Sequence, residues 1–144
     1  MCWKMNTKTV LAEKAEIINS EKKKMDRLWN AYVMELIKGI TSTESLYHHH
    51  VVPYQKGQLL VEVFGNVYVK IIRYGTFGSI KVQYQVESEE LGPIEIPPTN
   101  IYRQGVVDDG ILLSDKDQIF EHYLQKLQVI YNHILQYFTK GEEE

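Results

Sequence analysis

The 144-residue chain has one cysteine, four prolines and no apolar run approaching the ~20 residues that cross a membrane as a helix. Cys2 has no second cysteine to pair with, so an internal disulfide is excluded, and a structural zinc site has no cysteine pair to build on. No apolar core of signal-peptide length opens the sequence, and the chain reads as a cytoplasmic protein without a membrane partner. Charge of one sign is also missing: 16 basic against 19 acidic side chains give a formal net charge of −3. Such a balance argues against a duplex nucleic-acid partner, because phosphate-dominated binding needs a concentrated basic surface.

Catalytic patterns are absent too. No serine sits in a Gly-x-Ser-x-Gly elbow, and the single cysteine falls in the N-terminal arm. Gly75-Thr76-Phe77-Gly78 lacks the Gly-Lys-Ser/Thr ending of a phosphate-binding loop and joins strand to strand. Asp108-Asp109, Asp115 and Asp117 are explained by turn preference and by the helix dipole. In His48-His49-His50 consecutive side chains of an extended chain point to opposite sides, so the three do not chelate one ion together. His122 and His133 fall on one side of a helix, roughly 16 Å apart by the helical rise, and read as surface residues. The expectation is a protein that is not an enzyme, with no catalytic residue, no metal and no cofactor.

What is present is organised around Gln58–Glu87, which reads as three antiparallel strands joined by tight turns. Gly65-Asn66 supplies the positive φ values of a two-residue hairpin loop between runs rich in Val, Ile and Tyr. Leu59, Val61 and Val63 alternate with Leu60, Glu62 and Phe64, so the first strand is apolar on nearly both faces. Ile80, Val82, Tyr84 and Val86 alternate with Lys81, Gln83, Gln85 and Glu87, giving the sheet one dry and one wet face. Ile94–Ile96, cut off by Pro97-Pro98, and Asn100–Gln104 read as short edge strands.

Helices flank the sheet. From Thr9 to Lys38, Leu11, Ala15, Ile18, Met25, Trp29, Tyr32 and Leu36 recur in a heptad-like stripe in which Lys22 occupies one apolar position. Asn19-Ser20 before Glu21–Lys24 would cap a fresh helix, so the segment is either one helix or two, and Gly39 reads as its C-terminal stop. Thr41–Gly57 and Gly105–Leu113 read as connectors, the second with its turn at Asp108–Gly110. The last helix is expected to start with a capping box from Ser114 to Asp117 and to carry Phe120, Leu124, Leu127, Tyr131, Ile134 and Phe138 on a wide apolar face. It should cover the dry face of the sheet together with Met25–Ile37. The fold class is α+β in a single domain over 1–144, with residues 1–8 as an arm and 139–144 as a frayed acidic tail.

An unbroken first helix would be roughly 45 Å long against about 23 Å for a seven-residue strand. The surplus either folds back or meets another subunit, which nominates Leu11, Ala15, Ile18, Met25 and Trp29 as an oligomer interface. The leading functional expectation is a non-catalytic binding protein, a homo-oligomer and most simply a dimer. It would inhibit or adapt another macromolecule by occluding a surface, as small phage or mobile-element inhibitors do. The alternative is a binding protein for an anionic, nucleotide-like ligand held by Arg73, Tyr74 and Phe77 at a hairpin tip with Tyr102 and Arg103, where guanidinium forks and aromatic faces lie beside glycines.

Overall fold

The computed structural model describes residues 6–143, with side chains through Thr139. Cys2, Trp3 and Met5 of the expected arm and Glu144 of the expected tail lie outside the described residues. The first helix, α1, spans Thr7–Ser42 and is followed by a single turn, α2, at Glu44–Tyr47. Seven strands come next: β1 (His49–Val52), β2 (Gln58–Val63), β3 (Val67–Tyr74), β4 (Ser79–Glu87), β5 (Thr99–Tyr102), β6 (Val106–Val107) and β7 (Ile111–Leu112). The last helix, α3, spans Lys116–Glu143. The sheet order is β1-β2-β3-β4-β5-β6-β7 with every pair antiparallel, so the architecture is α+β as expected, with seven strands rather than three to five.

Helix α1 is continuous. Asn6 caps it, its Oδ1 accepting from the Thr9 amide at 2.8 Å, so Thr7 and Lys8 are helical rather than part of an arm. Asn19 and Ser20 face solvent inside a run of glutamates and lysines that favour helix, which outweighs the modest propensity cost of the pair. Gly39 does not stop the helix. It lies within α1 because a Cβ there would sit 2.2 Å from Cδ1 of Phe120 on α3, so glycine is what allows the two helices to meet. The helix ends three residues on, where the Thr43 and Ser42 hydroxyls donate back to the Gly39 carbonyl at 2.7 and 3.0 Å.

The core lies between the dry face of the sheet and the two long helices. Met25, Trp29, Tyr32, Leu36 and Ile40 from α1 and Ile119, Tyr123, Leu127 and Ile130 from α3 are buried against Val61, Val69, Ile71, Ile80, Val82 and Ile101. The alternation expected in β4 holds, with Ile80, Val82 and Tyr84 buried and Lys81, Gln85 and Glu87 exposed. Three corrections concern boundaries. Part of the Thr41–Gly57 connector is β1, which pairs with β2 from His49↔Val63 to Val52↔Leu60. Asn100–Gln104 is not an edge strand, because β5 lies between β4 and β6, while Ile94–Ile96 is not a strand. Helix α3 is capped by Asp115, whose Oδ1 accepts from the Gln118 amide at 3.3 Å, rather than by Ser114. The β4–β5 pairing covers only Ser79–Val82, so the outer edge of Gln83–Glu87 faces the 93–98 segment, and no backbone hydrogen bond joins the two among the described residues.

Three hydroxyls that enter the core are partnered in a chain. The Tyr32 and Tyr84 hydroxyls are 2.7 Å apart, and the Tyr84 hydroxyl is 2.6 Å from Thr99 Oγ1. Burial, above all, pushes the Tyr84 hydroxyl up to about 12. Tyr84→Phe strands two buried hydroxyls and is expected to cost about 2 kcal/mol, whereas Tyr32→Phe leaves the Tyr84–Thr99 bond in place and should cost about half as much. Urea denaturation of the two variants checks the asymmetry.

Candidate functional site

Both expected arginine sites turn out to be ion pairs with α1. Strand alternation sends Arg73 to the helix side of the sheet, where Nη1 meets Asp26 Oδ1 at 2.7 Å and Nε donates to the Gly75 carbonyl at 3.0 Å. Its guanidinium and Lys22 hold the Asp26 carboxyl below the usual carboxylate range. Arg103, in the turn after β5, pairs with Glu21 one turn back along the same helix. Tyr74 and Tyr102 occupy the opposite parity of their strands, in register with Lys81 and Ser79, and so lie on the wet face, both exposed. Phe77 is exposed at the hairpin tip. The structure therefore separates the guanidinium forks from the rings that were expected to stack beside them.

The histidines diverge. His48 is left-handed at φ 57, and its ring stacks on Phe64 at 5.5 Å. His50 faces Glu62 on the wet side at 3.7 Å. His49 is buried, with Nε2 2.8 Å from Thr43 Oγ1 and Nδ1 3.1 Å from the Tyr123 hydroxyl. With the Thr43 hydroxyl donating to the Gly39 carbonyl, its oxygen accepts from His49 Nε2–H, and because burial disfavours the charged ring, the neutral imidazole accepts at Nδ1 from Tyr123. His122 is not a surface residue either. It is 8% exposed, with Nε2 2.7 Å from Asp108 Oδ2, while Asp108 Oδ1 accepts from the Asn100 amide at 2.8 Å. These carboxylate and imidazole contacts tie the β6–β7 turn to β5 and to α3.

Among the described residues two surfaces remain without an internal partner. The first is the N-terminal part of α1, where residues 11–20 are all exposed, including Leu11 at 62% and Ile18 at 52%. Of the interface expected from the stripe, Leu11, Ala15 and Ile18 are free, whereas Met25 and Trp29 are consumed by the chain's own core. The second is a cleft of about 450 Å³ at the far end of α3, walled by Phe64, Val67, Leu91, Tyr131, Ile134 and Phe138. Its shape depends on a turn that differs from expectation. The left-handed residues are Phe64 (φ 52) and Gly65 (φ 79) rather than Gly65 and Asn66, and the Asn66 amide closes the turn onto the Val63 carbonyl at 3.3 Å. A left-handed phenylalanine is unusual. The rings of His48 and Tyr131, the latter 5.1 Å away, hold Phe64 there as one wall of the cleft. Nothing in the sequence marked this cleft, because its lining comes from a turn, a loop and a helix end.

Comparison with known proteins adds an independent line. A family model described as transcriptional repressor of hyc and hyp operons matches residues 6–143. The formate hydrogenlyase regulatory protein HycA of Escherichia coli (strain K12) is 24% identical over 123 residues, which cover 85% of this chain and 80% of that protein. The proteins of the same name from Escherichia coli O157:H7 and Shigella flexneri match with the same identity and coverage. No solved structure matches the chain.

Proposed function

Because this chain belongs to the family described as transcriptional repressors of the hyc and hyp operons, we propose that it is a non-catalytic repressor that works as a homodimer by occluding a protein partner, not by reading duplex DNA. The observation that carries the reading is the start of α1, several turns of helix outside the fold with an apolar stripe on which no described residue packs. An isolated helix of such length is marginal in water, so burial of the stripe in a second subunit supplies what the fold itself does not. Against direct DNA binding stand the net charge of −3 and the pairing of Arg73 and Arg103 with carboxylates of their own chain. The setting we propose is bacterial transcriptional regulation, in line with the name of the relatives, formate hydrogenlyase regulatory protein.

Light scattering on the eluting protein is expected to give twice the chain mass, and Leu11→Asp with Ile18→Asp to give a monomer. Both positions are exposed, so the variants should keep the subunit fold, their substitutions changing the unfolding free energy of the subunit itself by no more than about 0.5 kcal/mol apart from the lost dimer contacts. Fluorescence anisotropy with a duplex carrying a hyc control region should show no binding that collapses with salt. A salt slope of several phosphate contacts, or a wild-type monomer, overturns the reading.

A further inference from the structure

We propose that the two unpartnered surfaces are each other's partners: the N-terminal arm of α1 from one copy lies in the Phe64–Phe138 cleft of a second copy, reciprocally. The proposal rests on the dimer reading above and specifies its geometry. Charge distinguishes this pairing from a symmetric one. At 100° per residue Lys8, Lys14 and Lys22 fall within about 60° of Leu11, whereas Glu13 and Glu16 fall about 140° or more away. The apolar stripe is therefore flanked by three lysines and by Glu21, about 80° from Leu11, whose carboxylate is held by Arg103. Two such stripes face to face would oppose like charges. The cleft carries the complementary sign, with Glu90 in its lining and Glu89 exposed beside it. Its apolar side chains stand open, Leu135 at 60% and Phe138 at 66%, and between Tyr131 and Thr139 α3 carries no lysine, arginine, aspartate or glutamate.

Position then sets the symmetry. The arm leaves the fold at the end of the sheet where Asp26 and Glu21 hold Arg73 and Arg103, and the cleft lies at the opposite end, beside the β2–β3 turn. An arm therefore does not reach the cleft of its own chain. Two copies side by side and antiparallel place each arm next to the other's cleft, and the assembly closes at two subunits.

Directed disulfide formation tests this in a Cys2→Ser background. Mixing Leu11→Cys with Leu135→Cys protein is expected to give a covalent heterodimer under mild oxidation, neither variant alone doing so. The double variant Leu11→Cys/Leu135→Cys should stop at a covalent dimer. Leu135→Asp, at an exposed position, should give a monomer by light scattering, as the arm variants do. Crosslinking of Leu11→Cys with itself overturns the exchange while leaving the dimer reading intact. So does a dimer that survives Leu135→Asp, which would leave the cleft to a small apolar molecule or another protein. A ladder of higher species from the double variant overturns the closed geometry, and a wild-type monomer overturns both readings.

Discussion

Gly39→Val is expected to destabilise the fold by about 3 kcal/mol or more, a fall in melting temperature of roughly 10 °C for a domain of this size. The usual rule points the other way, since replacing a glycine inside a helix gains up to about 1 kcal/mol of propensity with alanine. Here the added Cβ would lie 2.2, 2.4 and 2.7 Å from three carbons of the Phe120 ring. That ring is stacked on Tyr123 at 5.7 Å, and Tyr123 in turn bonds to the buried His49. Moving Phe120 therefore disturbs the joint where α1, β1 and α3 meet. The decisive comparison is Gly39→Ala, destabilising in the wild-type background and stabilising by up to about 1 kcal/mol once Phe120→Ala has cleared the space. Thermal unfolding of the four proteins of this cycle reads the change of sign. Equal effects in both backgrounds would remove the ring from the argument.

Acid should loosen the same joint. Burial, with a smaller contribution from the neighbouring His50, pulls the His49 imidazole down from its ordinary value of 6.5 to about 4. In the unfolded chain this histidine takes up its proton first, so between about pH 6.5 and 4 the unfolded state binds more protons and stability rises with pH. The contribution is complete above about pH 6.5 and is lost as pH falls towards 4, to a total on the order of 3 kcal/mol. Asp26 is also depressed, by Arg73 and Lys22, but its ordinary value is 3.8, so its loss falls below this window. Urea denaturation at half-unit pH intervals should show the decline in the wild type. His49→Gln, which retains groups able to meet Thr43 and Tyr123, should flatten it. An unchanged slope in that variant would assign the acid sensitivity to other groups.

The central meander was legible because Val, Ile and Tyr recur with a period of two and glycines punctuate the runs. The stripe of α3 was legible for the same kind of reason. What sequence periodicity misses is any residue whose role is set by a distant neighbour. Gly39 reads as a stop because glycine usually ends helices, and only Phe120, 81 positions later, reveals that the missing Cβ is the point. His49 and His50 hide β1, since a four-residue strand beginning with two histidines has no apolar alternation. Arg73 and Arg103 read as free because Asp26 and Glu21, their partners, lie in another element. Of the interface residues, Leu11, Ala15 and Ile18 share a stripe with Met25 and Trp29, and periodicity alone does not tell where the core stops and the projecting arm begins.

Three of the four prolines, Pro93, Pro97 and Pro98, sit in the segment that runs beside the uncovered edge of Gln83–Glu87. A proline has no amide hydrogen to offer to a neighbouring carbonyl, so this segment shields the edge without becoming an eighth strand. Exposed strand edges are where β-proteins template their own aggregation. The open stretch of the β4 edge thus has a cover whose prolines have no amide hydrogen with which to extend the sheet.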